Sequence, residues 1–96
     1  MGARITINLN AGGEFEIWMN EEGRDLLVRE LQGLSETSDH LHLMPRITPK
    51  PMGDIEVSSR AYRPDDKLLE WGKVLFRTDA GDRTHFPHVM VDSTED

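Results

Sequence analysis

The stretch Asn20-Glu-Glu-Gly-Arg-Asp-Leu-Leu-Val-Arg-Glu-Leu-Gln-Gly-Leu34 predicts the one long helix of this chain. Its first residue is typical of a helix N-cap, because an asparagine side-chain oxygen accepts a hydrogen bond from a free amide of the first turn. Gly33 is predicted to end the helix at its C-terminus by adopting the left-handed backbone conformation. An apolar stripe at helical spacing is formed by Leu27, Val28, Leu31 and Leu34. A helix of this length is marginal alone, so it needs a sheet to pack on.

Two strands with alternating apolar residues are predicted ahead of the helix, at Arg4 to Asn10 and at Glu14 to Met19. The residues Ala11-Gly12-Gly13 between them favour a tight hairpin. We expect the apolar side chains of both strands to face the helix, namely Ile5, Ile7, Leu9, Phe15, Ile17 and Met19. The opposite face of these strands, which carries Trp18, is then expected to stay open.

Further strands are predicted after the helix. They are His40 to Met44, Asp54 to Ser58, Leu68 to Arg77 with a bend at Gly72, and Phe86 to Val91, with a hairpin connection at Thr78 to Thr84. The order β-β-α-β-β-β-β indicates an α+β fold with a single antiparallel sheet and one main helix packed on one face. We expect a single domain over residues 1–96, with a proline-rich loop at 45–54 and a flexible acidic tail at 93–96.

The composition narrows the function classes. The chain carries 18 Asp and Glu against 11 Lys and Arg, a formal net charge of −7, so nucleic acid is not expected as a partner. It has no cysteine, which excludes disulfides and thiolate chemistry. No apolar run approaches the roughly 20 residues that span a bilayer, and the N-terminus lacks the apolar core of a signal peptide. We therefore expect a cytoplasmic protein without a membrane partner.

No residue pattern indicates catalysis or a cofactor. Acidic pairs are abundant, but their spacing singles out none for acid–base work, so we predict neither a catalytic residue nor an enzyme. His40 and His42 share a strand face, and His85 and His88 lie near the last predicted strand. If those strands are neighbours, the imidazoles could bind zinc, which makes a small metal- or ligand-binding domain the alternative function. Exposed polar histidines are the simpler interpretation, and we assign no metal.

The open sheet face is the predicted contact surface for a protein partner. Tryptophan is enriched among the residues that dominate binding energy at interfaces, and Trp18 would be such an anchor. The predicted contact residues are Trp18, Glu14, Glu16, His40 and His42. The competing interpretation packs Trp18 under the proline-rich loop or against Trp71.

Four segments of the chain carry a family resemblance. They are Glu16-Ile17-Trp18-Met19-Asn20-Glu21-Glu22-Gly23, Leu26-Leu27, Glu30-Leu31 and Asp39-His40-Leu41-His42-Leu43-Met44. These segments resemble a family of small bacterial immunity proteins, which accompany the polymorphic toxins used in competition between bacteria. The resemblance covers about residues 13–44, extends more loosely to 82–92, and does not include 45–67.

The resemblance implies a non-enzymatic role, in which the protein binds a cognate toxin domain and blocks it. The identity of the toxin is not implied. The acidic charge suggests a further hypothesis, that the inhibitor occupies the phosphate site of a basic nuclease. The protein would act as a monomer or a homodimer, and a structural subunit that buries a sheet edge in a dimer is a third interpretation.

Overall fold

The computed structural model describes residues 2–46 and 54–90. Its elements in chain order are β1 (Ile5–Leu9), β2 (Phe15–Met19), α1 (Glu21–Gln32), β3 (His40–Pro45), β4 (Ile55–Val57), β5 (Lys67–Leu68), β6 (Gly72–Leu75), α2 (Asp79–His85) and a 3₁₀ helix (Pro87–Met90). The predicted α+β class is confirmed. Among the described residues, no helix is both long and apolar enough to cross a bilayer.

The strands form two small sheets instead of the single antiparallel sheet that was predicted. The first has the order β2-β1-β5 and the second has the order β4-β3-β6. All neighbours are antiparallel except β3 and β4, which are parallel. The two sheets meet where the Ser58 amide donates to the Ile5 carbonyl at 2.7 Å. Alternation predicts strands but not their neighbours, so strand order and direction were open to this error.

The N-terminal end of α1 forms as predicted. The Asn20 side-chain oxygen accepts hydrogen bonds from the amides of Gly23 at 2.7 Å and Arg4 at 2.8 Å, so the cap also fastens the helix to the chain just before β1. Gly23 is buried there, and a Cβ at this position would stand 2.5 Å from the Arg4 carbonyl oxygen. At the other end the left-handed stop is wrong, because Gly33 has a φ of −81°.

The last third of the chain departs most from the prediction. The strand predicted at Leu68 to Arg77 divides into β5 and β6, which belong to different sheets. The predicted hairpin is instead α2, whose N-cap Thr78 accepts a hydrogen bond from the Gly81 amide at 3.0 Å. The predicted last strand is the 3₁₀ helix, whose first residue, Pro87, has a φ suited to a helical start. The predicted proline-rich loop and acidic tail fall largely or wholly on residues 47–53 and 91–96, outside the described residues.

The core lies where β1, β3 and β4 come together. Its buried residues are Ile5, Leu41, Leu43, Ile55 and Val57, and the half-buried residues against them are Ile7, Leu26, Leu27, Leu34 and Val74. The expectation that the helix also covers the apolar residues of β2 is wrong. Phe15, Ile17 and Met19 are 70%, 48% and 41% exposed. The apolar side of α1 packs where the two sheets meet, and β2 is an edge strand of the first sheet.

Candidate protein-binding surface

The sheet face that carries Trp18 is covered, not open. Trp18 stacks on Tyr62 with ring centroids 4.2 Å apart and an interplanar angle of 11°. The Arg63 guanidinium carbon lies 5.1 Å from the centre of the Trp18 ring, within the range of a cation–π contact. Trp18 therefore packs against the segment 61–66 and not against Trp71, while most of the proline-rich loop lies outside the described residues.

A polar network beneath this stack holds Glu16 in place. Fully buried Asn8 accepts a hydrogen bond from the Trp18 indole N–H at 2.7 Å and donates to Glu16 at 3.0 Å. Asn10 donates to the other carboxylate oxygen at 3.1 Å, and Arg63 forms an ion pair with Glu16. The hydrogen bond from Asn8, more than that from Asn10 or the Arg63 charge, holds the pKa of the Glu16 carboxyl below its usual value, against the opposing effect of desolvation.

Two of the predicted contact residues therefore have structural partners of their own. Glu16 and Trp18 anchor the segment 61–66, while Glu14 is exposed at the start of β2, with a long 3.4 Å contact to Asn10. Sequence reasoning missed Tyr62 and Arg63, because they lie more than 40 positions along the chain from their partners. The only local signal is an aromatic and a basic residue side by side between two predicted strands.

The two predicted histidines lie on β3, in the other sheet from Trp18. Their rings stand edge to face with centroids 5.0 Å apart. His40 shares a 2.9 Å hydrogen bond with Asp39, which lowers the pKa of that carboxyl, and Asp54 accepts from the His42 backbone amide at 2.7 Å. Within residues 2–46 and 54–90, no group of three or more potential ligands is placed to hold a metal ion. The four histidines thus do not converge in the way that the alternative function required.

Among residues 2–46 and 54–90, no strand pairs with the outer edge of β2. Asn20 donates from its backbone amide to the Arg4 carbonyl at 3.1 Å, and Asn10 donates to the Glu14 carbonyl at 2.8 Å. In an antiparallel ladder, opposite residues alternate between hydrogen-bonded and non-hydrogen-bonded pairs. The two bonds show that the even-numbered residues of β1 and β2 form the hydrogen-bonded pairs. The even-numbered residues of β2 consequently direct their backbone groups at β1. The odd-numbered residues direct theirs outward, towards the free edge.

The same odd-numbered residues are the exposed apolar ones, Phe15, Ile17 and Met19. Free backbone groups and uncovered apolar side chains thus coincide along one strand. The apolar row continues across the sheet through Leu9 and Leu69, which are 37% and 40% exposed. Proteins commonly protect such edges with proline, lysine or a bulge, and β2 has none of these. This arrangement is competent to receive an additional strand with apolar side chains.

A surface cleft of about 410 Å³ lies beside the start of β1, and its lining includes Arg4, Arg46 and Arg60. Arg46 is already engaged there in a two-bond ion pair with Glu56, at 2.7 and 2.8 Å. The cleft is shallow and offers no buried polar group that would orient a ligand. It is a weaker candidate for recognition than the edge of β2.

Comparison with known proteins found no matching family model, no matching curated protein and no matching solved structure.

Proposed function

We propose that this chain is an immunity-type protein that binds and neutralises a cognate bacterial toxin domain through the free edge of β2. The observation that carries the proposal is the coincidence of unpaired backbone groups with exposed Phe15, Ile17 and Met19 along that edge. The resemblance of residues 13–44 to immunity proteins supplies the toxin as the partner. Inhibition needs no chemistry from this chain, since a tightly bound protein can block a toxin by occlusion alone.

Strand addition is the binding mode that this edge favours. A toxin strand placed beside β2 would satisfy the outward backbone groups, and its apolar side chains would cover the exposed row. Glu14 immediately precedes β2, where it can contact a basic group of the toxin at the rim of the interface. Glu16 and Trp18 would support this surface from behind, through the network that includes Asn8.

Charge supports the choice of a basic toxin. The chain carries a net charge of −7, and complementary charge accelerates protein association and discriminates against acidic partners. A basic toxin domain acting in the cytoplasm of the producing bacterium, such as a nuclease, fits this requirement. His40 and His42 lie on β3 and would reach the toxin only if it also spans the second sheet.

The test is a co-expression experiment with the toxin domain encoded beside the gene for this chain. We expect the wild-type chain to restore growth and to co-purify with the toxin in a complex with one copy of each. Phe15→Lys and Ile17→Lys should each abolish protection. Leu75→Lys is the matched control, because Leu75 is 62% exposed but lies on β6 in the other sheet.

Two results would contradict the proposal. Failure of the wild-type chain to protect against, or bind, the adjacent toxin domain would remove the immunity function. Full protection by both lysine variants of β2, with their folds verified by circular dichroism, would move the binding surface away from this edge.

A further inference from the structure

We infer that, without a toxin, the edge of β2 pairs with the same edge of a second copy of this chain in a twofold antiparallel dimer. The inference rests on the geometry of β2 and needs no toxin. Most homo-oligomers are twofold dimers, in which one surface patch on each copy is complementary to itself. An antiparallel strand pair about a twofold axis meets this condition.

The hydrogen-bonding phase of β2 allows a twofold axis at Ile17. In that register, Ile17 lies opposite Ile17 of the second copy, and Phe15 lies opposite Met19 in both directions. All three residues have outward backbone groups, so each opposite pair can exchange two N–H···O bonds. The result is a continuous sheet with the strand order β5-β1-β2-β2-β1-β5.

Charge and exposure favour this register over the two registers that are shifted by two residues. With the axis at Ile17, Glu16 faces Trp18 of the second copy, whose ring carries the Arg63 guanidinium at 5.1 Å. A two-residue slip in one direction sets Glu16 against Glu16, and like charges placed directly opposite destabilise a strand pair. The slip in the other direction leaves Phe15, which is 70% exposed, without a strand partner.

The available area sets the strength of the dimer. The exposed parts of Phe15, Ile17 and Met19 amount to roughly 300 Å² of apolar surface per copy, of which strand pairing buries the flanks that meet the second copy. A standard interface buries about 800 Å² per partner, so the paired backbones and flanking residues must provide the rest. We therefore expect a reversible dimer that dissociates on dilution. One edge accepts one strand, so a toxin bound to β2 would displace the second copy.

The first test is the mass of the purified chain in solution over a range of concentrations. We expect a species of about 22 kDa, twice the 11.0 kDa of one chain, which shifts towards 11.0 kDa on dilution. Ile17→Lys should give 11.0 kDa throughout, and Phe15→Lys serves as a second variant should Ile17→Lys fail to fold. Leu75→Lys should retain the dimer. A wild-type mass of 11.0 kDa at every concentration overturns the inference.

The second test uses the absence of cysteine from the chain. Opposite residues in a hydrogen-bonded antiparallel pair have Cα atoms about 5.5 Å apart, within the range that a disulfide spans. Ile17→Cys should therefore form a covalent dimer on mild oxidation, and Leu75→Cys on β6 should not, although Leu75 is the more exposed of the two. Cross-linking of Leu75→Cys without Ile17→Cys would place the contact elsewhere. Neither test involves the toxin, so the dimer and the immunity function stand or fail separately.

Discussion

At the scale of the residue, Thr6 stands out in the described part of the chain because its buried hydroxyl lacks a hydrogen bond. It is 1% exposed on β1, and its hydroxyl is the only buried side-chain polar atom there without a hydrogen-bond partner. A buried hydroxyl without a partner costs free energy, because water bonds are lost and not replaced. We expect Thr6→Val, which keeps the shape of the side chain, to raise the free energy of unfolding by about 1 kcal/mol.

Urea denaturation measures this effect directly. Thr6→Ala is the matched control, because it also removes the hydroxyl but leaves a small cavity, and it should be less stable than Thr6→Val. A lower midpoint for Thr6→Val than for wild type would indicate that the hydroxyl is hydrogen-bonded after all.

Glu16 makes the stability of the protein depend on pH in the acid range. Its pKa is held below the ordinary value of 4.5, chiefly by the hydrogen bond from Asn8, so the folded state binds fewer protons than the unfolded state in this range. The stabilisation that Glu16 provides is fully present at pH values above its ordinary pKa of 4.5. It is lost as the pH falls through the lowered pKa of the folded state.

We expect Glu16→Gln to flatten the fall in stability below pH 4.5, measured as urea midpoints across acid pH. Some acid dependence should remain, because the pKa of Asp39 is also lowered by its hydrogen bond with His40. Parallel curves for wild type and Glu16→Gln would show that the network does not depend on the charge of Glu16.

At the scale of the element, the stack of Trp18 on Tyr62 fastens the segment 61–66 to the polar face of the first sheet. Removing the ring in Tyr62→Ala should lower the free energy of unfolding by about 2 kcal/mol, since a stacked aromatic pair and its buried area are lost together. Tyr62→Phe keeps the ring and should stay within about 0.5 kcal/mol of wild type.

Denaturant unfolding compares these variants, and Trp18→Ala should be destabilised as well. That outcome would identify Trp18 as part of the packing, whereas an intact fold with weakened toxin binding would restore the contact role that the sequence suggested. Equal stabilities for Tyr62→Ala and wild type would mean that the segment 61–66 is not fastened through the stack.

At the scale of the whole molecule, charge governs how the proposed complex forms. A net charge of −7 should steer a basic toxin towards the chain, and salt screens such long-range attraction. We expect the association rate to fall at least several-fold as salt rises from low to physiological concentration, with a smaller change in the dissociation rate. Stopped-flow kinetics at several ionic strengths measures both rates, and an association rate that ignores salt would argue against charge steering.

The first half of the chain was largely predictable because its signals are local. The alternation before residue 20, the glycines of the hairpin and the Asn20 cap each act within a few residues. The predicted hairpin and last strand at the C-terminal end are wrong, because Thr78 and Pro87 favour the starts of helices there. Trp18 and Glu16, two of the predicted contact residues, hold the segment 61–66, whereas the exposed apolar row lies on the opposite face of the same strand.

By itself, the sequence determined an acidic α+β protein with a β-hairpin, a capped central helix and a third strand, predicted at His40 to Met44 and observed at His40–Pro45, because capping, turns and alternation act at short range. Only the tertiary structure decided which surface remains uncovered. The limited apolar side of α1 packs where β1, β3 and β4 meet, and the distant Tyr62 and Arg63 cover the face of Trp18. The apolar side of β2 stays exposed because α1 packs elsewhere, and within the described residues no strand pairs with the outer edge of β2.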